Sequence, residues 1–363
     1  MEGKTELAAW AFLILMGLWR LWNWGIEWRK RNPKPVIQEQ EEKKTDLETP
    51  EIEPLSTFNW RNTEPEKLRP FRPKYHLTMA LQNSDPSDLV AMDNTYLQRL
   101  ETRKEAMSQH PDIVLQATPR SIPAINELYT YLVGTYLPTR YPTMFSLAPT
   151  HLENLVTSTR IPLHPSSDPL ETLRTLGENI DEDFIWLQPS EDGDGYLFTG
   201  YIVCFPAGFN TKDKLGLKLR EIHTPVPGYA EKLEKSMDRF FERLEVGKMV
   251  RRSNWSITTH DKLYAASAGN HLYAGEEVEA EEIDLANTYL RCERQYLHRQ
   301  PETKALCFSF KTYLYPISQI KAEGLGEDLA RAIDGLKEGS VPEMHFYKKG
   351  VVWGETVKEY LRS

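Results

Sequence analysis

An apolar segment near the start of the chain, LAAWAFLILMGLWRLWNWGI at residues 7–26, constrains its topology more than any other feature. A helix needs roughly 20 apolar residues to cross the hydrocarbon core of a bilayer. The single charge, Arg20, lies near the C-terminal end, where its side chain can reach the membrane interface. Four tryptophans typical of an aromatic belt cluster at the same end: Trp19, Trp22, Trp24 and Trp28. The segment therefore predicts one N-terminal transmembrane helix.

Three other interpretations of this segment stay open. The fully apolar part, Leu7 to Trp19, is short enough for a helix that lies on the membrane surface. A cleaved signal peptide would need a basic start and a small-residue cleavage site, and neither stands out around Trp19. A buried helix of a soluble core fits least, because a charged segment follows directly.

The charges that flank residues 7–26 predict the orientation of the chain. Lys and Arg are concentrated after the segment, at Arg29, Lys30, Arg31 and Lys34. Such an excess marks the cytosolic side. We therefore expect a single-pass membrane protein that contacts membrane lipid, with its folded part in the cytosol; the endoplasmic reticulum is one candidate membrane.

The rest of the chain divides by composition. Residues 1–31 form the predicted anchor, and residues 32–57 are acidic, rich in proline and poor in large apolar side chains, as in a flexible linker. Aromatic residues become frequent from Phe58, which predicts a folded domain over residues 58–363. The net charge of −9 is spread along the chain without a basic stripe, so nucleic acid is not an expected partner. Three scattered cysteines favour a reducing compartment over a disulfide framework.

Within residues 58–363, helical and β-rich segments alternate irregularly. Apolar spacing predicts helices over 89–107, 122–137, 229–244 and 325–336, and a short final helix after Trp353. Residues 195–205 and 252–258 are β-rich, and two longer runs, 289–300 and 305–315, predict a hairpin with a four-residue connection. The sequence thus favours an α+β fold with a mainly antiparallel sheet and flanking helices.

The familiar catalytic and nucleotide-binding motifs GxGxxG, GxxxxGK[ST], GxSxG and HExxH do not occur. Asp192-Gly-Asp-Gly195 lacks the rest of a calcium loop and predicts a hairpin turn instead. A more informative segment surrounds His223, which precedes Pro225, Pro227 and Gly228. Proline stiffens the backbone, so this loop could hold an imidazole as a metal ligand or base. A turn with a merely hydrogen-bonded histidine is the alternative.

A second informative segment is RCERQYLHRQ at residues 291–300. Side chains alternate between the two faces of a strand, so Arg291, Glu293, Gln295 and Arg299 share one face, and Arg294, His298 and Gln300 share the other. Two arginines and a carboxylate on one face suit an anion such as a carboxylate or propionate. A solvated edge strand is the alternative.

Together these segments resemble the HRQ family, the α-subunit-like family of haem-dependent oxidative N-demethylases. The resemblance runs from about Phe58 to Tyr315 through the following pieces: Pro70-Phe-Arg-Pro73, Tyr75-His-Leu-Thr-Met79, Arg140-Tyr-Pro142 with Phe145, Ile222-His-Thr-Pro-Val-Pro-Gly228, Arg252-Ser-Asn-Trp255 and the Arg291–Gln300 segment with its literal His298-Arg299-Gln300.

The resemblance implies a PAS-like α+β core that binds haem b and oxidises a small secondary amine with release of formaldehyde. It implies His223 as axial haem ligand and Arg252, Arg291 and Arg294 as ligands of the haem propionates or another anion. Glu293 would orient these arginines or help to bind a cationic amine. The chain contains no flavin or iron–sulfur motif, so electrons would come from a separate reductase.

Three functions are therefore compared. The first is a membrane-tethered haem-dependent oxidoreductase acting on a small organic molecule, such as an amine undergoing oxidative N-dealkylation. The second is a non-catalytic haem or small-ligand sensor, and the third is a scaffold that has lost the haem. Cysteine ligation of the iron fits poorly, because Cys204, Cys292 and Cys307 lie within predicted strands.

Overall fold

The computed structural model describes residues 51–267 and 270–363, and within them a seven-stranded antiparallel sheet is the largest feature. Its central strands are β9 (Tyr289–Arg299) and β10 (Leu306–Pro316), which pair along their whole length. Their turn places Lys304 in the left-handed region at φ 59°. The hairpin predicted from residues 289–315 is thus confirmed.

Eight further strands lie in the described residues, and most of them are short. They are β1 (Gln82–Ser84), β2 (Leu115–Ala117), β3 (Phe145–Leu147), β4 (His151–Asn154), β5 (Thr159–Pro162), β6 (Asp183–Pro189), β7 (Tyr196–Ile202) and β8 (Met249–Thr258). The main sheet has the order β1-β8-β9-β10-β6-β7-β2, and β3-β4-β5 form a small second sheet. Asp192 to Gly195 form the turn between β6 and β7, as predicted.

Helices flank the main sheet. They are α1 (Tyr96–Gln109), α2 (Pro111–Val114), α3 (Ile122–Tyr131), α4 (Leu137–Arg140), α5 (Pro169–Asn179), α6 (Leu219–Ile222), α7 (Tyr229–Lys232), α8 (Glu234–Arg243), α9 (Ile317–Ala322), α10 (Gly326–Glu338), α11 (Met344–Tyr347) and α12 (Gly350–Arg362). A π-helical turn, Leu132–Tyr136, joins α3 to α4. The predicted α+β fold, mainly antiparallel with flanking helices, is confirmed.

One predicted helix begins later than its apolar spacing indicated. Residues 89–95 precede α1, because their backbone groups serve tertiary contacts instead of a helical turn. The Ala91 amide donates to Glu182, and its carbonyl accepts from Lys311. Asp93 accepts from the amide of Thr95. The helix therefore starts at Tyr96.

The alternation of the strands separates two apolar clusters. Ile185, Leu187 and Phe310 belong to a cluster with α6, α7 and α8. Phe184 and Trp186 belong to the cluster that contains α1, α3 and α5. A third cluster contains Tyr313 and Tyr315 of β10 together with helices α9, α10 and α12. Each face of the sheet is thus buried against its own set of helices.

The N-terminal predictions fall largely outside the described residues, since the anchor at residues 1–31 and the linker up to residue 50 are not covered. No helix within residues 51–267 and 270–363 has the length and apolarity needed to cross a membrane. Ile52 is already buried in the core cluster with α1, α3 and α5. Packing against the folded domain therefore begins within the range predicted as linker.

Candidate functional site

A cavity of about 350 Å³ lies on the face of the main sheet that α6, α7 and α8 cover. Aliphatic and aromatic side chains from the strands and these helices make most of its wall, among them Ile185, Leu187, Phe198, Leu219, Val226, Leu233, Val250, Leu297, Phe308 and Phe310. Its volume and largely apolar wall are those of a small-molecule site with a few polar groups.

A segment without helix or strand, residues 75–81, lines one side of the cavity and is called the strap below. Alternate residues Tyr75, Leu77, Met79 and Leu81 line the cavity, while the residues between them are exposed. Two backbone hydrogen bonds tie Tyr75 to the C-terminal region: its amide donates to Gly335 at 3.0 Å, and its carbonyl accepts from the Ser340 amide at 2.9 Å. The strap is thus fixed to helix α10 and the loop after it.

His223 follows the single turn of α6 and lines the cavity. Its Nδ1 lies 2.7 Å from the Leu219 carbonyl, which can only accept, so Nδ1 carries the proton. The ring stacks on Tyr229 with centroids 4.5 Å apart. Burial lowers the pKa of His223 to about 4. The imidazole is therefore neutral at pH 7, with a fixed orientation and Nε2 left as the acceptor nitrogen.

Two of the arginines predicted to bind an anion also line the cavity. Arg252 is partly buried on β8, and its Nε is inaccessible without a hydrogen-bond partner in the described part of the chain. Arg291 on β9 is almost fully buried. Its guanidinium donates to the carbonyls of Phe205 at 2.9 Å and Leu263 at 3.0 Å. Arg291 therefore holds two loops at the cavity, whereas Arg252 is oriented without such partners.

Glu293 contributes the one carboxylate among the described residues that line the cavity. It accepts a hydrogen bond from Gln295 at 2.7 Å on the same face of β9. Across the sheet it pairs in register with Asn254 of β8. A carboxylate in a mainly apolar cavity could orient a cationic group of a ligand.

The structure does not bring Arg294 together with these residues. It lies on the opposite face of β9, as the alternation predicts, and its Nη2 donates to Glu182 at 2.8 Å. Both side chains are buried, in a cluster of ion pairs with α1. This correction to the grouping follows from the same alternation: a residue next to Glu293 in sequence cannot share its face.

Two polar residues of the cavity had no signal in the sequence. His271 lines the cavity beside Tyr347, with ring centroids 4.6 Å apart, and burial lowers its pKa to about 3. Lys348 is buried, and its Nζ donates to the Trp255 carbonyl and to Asn254 at 3.3 Å. Both come from segments without local motifs, and only the tertiary fold places them here.

One family comparison bears on this site. The family described as "haem-dependent oxidative N-demethylase, alpha subunit-like" matches residues 80–358. The chain belongs to this family. The match includes every cavity segment except most of the strap, so the cavity is part of the family domain. The family description names an oxidative enzyme that depends on haem.

The cavity residues fit a haem group. His223 offers a neutral imidazole whose Nδ1–H is held by a backbone carbonyl, the usual support of a metal-ligating histidine. Apolar side chains surround it, and Arg252 supplies a cationic group without a carboxylate partner in the described residues. No set of three His, Cys, Asp or Glu side chains in residues 51–267 and 270–363 is arranged to hold a metal ion.

Proposed function

We propose that this family member is a haem-dependent oxidoreductase that binds haem b in the cavity, with His223 as axial ligand. The observation that carries the proposal is the hydrogen bond from His223 Nδ1 to the Leu219 carbonyl. It fixes the tautomer, and the lowered pKa keeps the ring unprotonated, as a metal ligand must be. The PAS-like nature of the fold implied by the sequence resemblance is part of this proposal.

Bound haem and the cavity side chains would have separate roles. Bound haem would supply the oxidising chemistry for N-dealkylation of a small organic amine. Arg252 would bind a propionate, while Arg291 contributes positive charge and holds the loops at Phe205 and Leu263 in place. Glu293, steadied by Gln295, would orient a cationic substrate. Arg294 has no direct part, because it faces the other side of the sheet.

The proposal also includes a source of electrons and a location at a membrane. Electrons would come from a separate reductase. The apolar segment at residues 7–26 would tether the domain to a membrane, with the basic residues after it on the cytosolic side. A membrane-bound reductase would then meet the domain by diffusion in two dimensions.

The test is an absorption spectrum of the full-length protein, purified in detergent after expression with a haem precursor. We expect a Soret band that shifts on reduction, its loss or a marked change in His223→Ala, and its retention in His271→Ala. The second variant is the matched control, since His271 also lines the cavity. An unchanged spectrum in His223→Ala would exclude this ligand, and failure of the folded protein to take up haem would exclude the function.

Turnover is tested separately. With haem bound and a reductase and NADPH supplied, small secondary amines are screened for formaldehyde release. Haem binding without turnover of any amine would favour the sensor alternative.

A further inference from the structure

Arg252 and Lys348 are neighbours in the cavity, although they come from distant parts of the chain. Arg252 and Asn254 lie two residues apart on β8, and both line the cavity. Lys348 donates to the side chain of Asn254 and to the carbonyl of Trp255. Its Nζ also lies 5.7 Å from the ring centroid of Tyr75 and 5.4 Å from that of Trp255. Two cationic groups thus share one corner of the cavity.

Neither cation is paired with a carboxylate in residues 51–267 and 270–363. The ion pairs found there include neither Arg252 nor Lys348, although each is placed in a mainly apolar wall. Burial lowers the pKa of Lys348 to about 8; the nearby Glu293 carboxylate raises this pKa, and the charge of Arg252 lowers it. Two like charges held near each other in a mainly apolar wall are costly, and Glu293, which forms no ion pair with either of them in the described residues, offsets only part of that cost.

The excess of cationic side chains in the cavity wall also favours an anionic ligand. In the described residues its wall carries four cationic side chains, Lys214, Arg252, Arg291 and Lys348, and only Glu293 as carboxylate. Arg291 donates to backbone carbonyls, and Lys214 donates to the Ile222 carbonyl at 3.5 Å. Arg252 and Lys348 remain as the cations with donor groups for a ligand.

We propose that Arg252 and Lys348 together form a binding subsite for a carboxylate group inside the cavity. A carboxylate has two oxygens and can accept a charge-assisted hydrogen bond from each cation. Tyr75 and Trp255 shield the Lys348 ammonium, which strengthens the attraction relative to water. The inference deepens the proposed function, but it does not require that haem be present.

The carboxylate could come from a haem propionate or from a carboxylated substrate, and the chemistry of recognition is the same. The experiment therefore uses one probe for each source. Sodium hexanoate represents a small apolar carboxylate, and hexylammonium chloride is its cationic counterpart. Haem and haem dimethyl ester, which lacks the propionate charges, form the second pair.

The variants are Arg252→Gln and Lys348→Gln in the full-length protein. Arg251→Gln is the control, since Arg251 neighbours Arg252 on β8 but is exposed. If loss of the Trp255 contact prevents folding of Lys348→Gln, Arg252→Gln alone carries the test. Calorimetric titration measures each probe in haem-free protein.

We expect at least one carboxylate probe to bind at least tenfold more weakly to Arg252→Gln and Lys348→Gln, and equally to Arg251→Gln. A loss for hexanoate assigns the subsite to a substrate; a loss for haem but not for its ester assigns it to a propionate. Near pH 8 the binding should take up about half a proton, because the anion raises the pKa of Lys348. Unchanged affinity for both carboxylate probes overturns the inference.

These experiments distinguish a failure of the proposed haem-dependent function from a failure of the carboxylate subsite. A protein that binds hexanoate through Arg252 but never takes up haem refutes the proposed function and leaves the carboxylate subsite standing. A haem protein whose carboxylate affinities do not depend on Arg252 or Lys348 refutes the subsite alone.

Discussion

Nη2 of Arg294 lies 2.8 Å from Oε1 of Glu182, and Glu182 is almost completely buried. Arg103 pairs with Asp183 at 2.6 Å and Lys311 with Asp181 at 3.1 Å in the same region. The face of the sheet opposite the cavity is therefore held to α1 by buried ion pairs, in which each charge depends on its partner.

Removal of one partner from this cluster should be strongly destabilising. Glu182→Ala removes the buried carboxylate of Arg294 and leaves it only Glu66, which is 3.7 Å away and partly exposed, so we expect a loss of about 3–5 kcal/mol in the free energy of unfolding. Urea denaturation followed by circular dichroism measures the change. Glu101→Ala, on the exposed side of α1, is the control and should change stability by less than about 0.5 kcal/mol. Equal stability of the two variants would contradict a structural role for the pair.

Arg291 should be irreplaceable by lysine. An ammonium group cannot reach the carbonyls of Phe205, Pro206, Lys262 and Leu263 as the guanidinium fork does. We expect Arg291→Lys to lower the free energy of unfolding by about 2–4 kcal/mol and to speed amide hydrogen exchange around residues 260–266. Arg251→Lys is the matched control. Amide exchange as slow in Arg291→Lys as in the unchanged protein would show that the loops stay in place without the guanidinium group.

The strap should depend on the small side chain of Gly339. A Cβ at this position would lie 1.6 Å from the Tyr75 carbonyl oxygen, so Gly339→Ala must displace the strap from the loop after α10. We expect lower stability and faster exchange of ligand with the cavity, measured by stopped-flow binding of hexanoate or haem. In Gly134→Ala the new Cβ meets no atom within 4 Å, so this helical substitution should be neutral or stabilise by about 0.5–1 kcal/mol. Identical kinetics in the two variants would exclude a gating role for the strap.

Acid should destabilise the protein through protonation of His298. Burial lowers the pKa of His298 to about 4, below the usual 6.5 of the unfolded chain. Between these values the unfolded state binds more protons, so stability is present above pH 6.5 and is lost as the pH falls towards 4. The full shift corresponds to roughly 3 kcal/mol. Urea titrations at several pH values should show this loss of the free energy of unfolding, and a smaller loss in His298→Gln. The same dependence of that free energy on pH in both proteins would contradict the prediction.

The sequence anticipated the parts of the site that depend on local order. Strand alternation correctly separated Glu293 from Arg294, because a period of two needs only the knowledge that the segment is a strand. The prolines around His223 predicted a stiff loop, but they did not indicate that the Leu219 carbonyl and the Tyr229 ring would orient the imidazole. Lys348 and His271 could not be predicted, since nothing in their neighbouring residues distinguishes them from surface positions. Their place in the cavity depends on how α10 and α11 pack, which is a property of the tertiary fold.

The link between the strap and the C-terminal region has a consequence for biosynthesis. Residues 75–81 are synthesised well before their hydrogen-bond partners Gly335 and Ser340, which follow them far along the chain. Folding during synthesis proceeds from the N-terminus at about 5–20 residues per second. The strap therefore cannot be fixed over the cavity until residue 340 has been synthesised, so one side of the cavity stays open until that point.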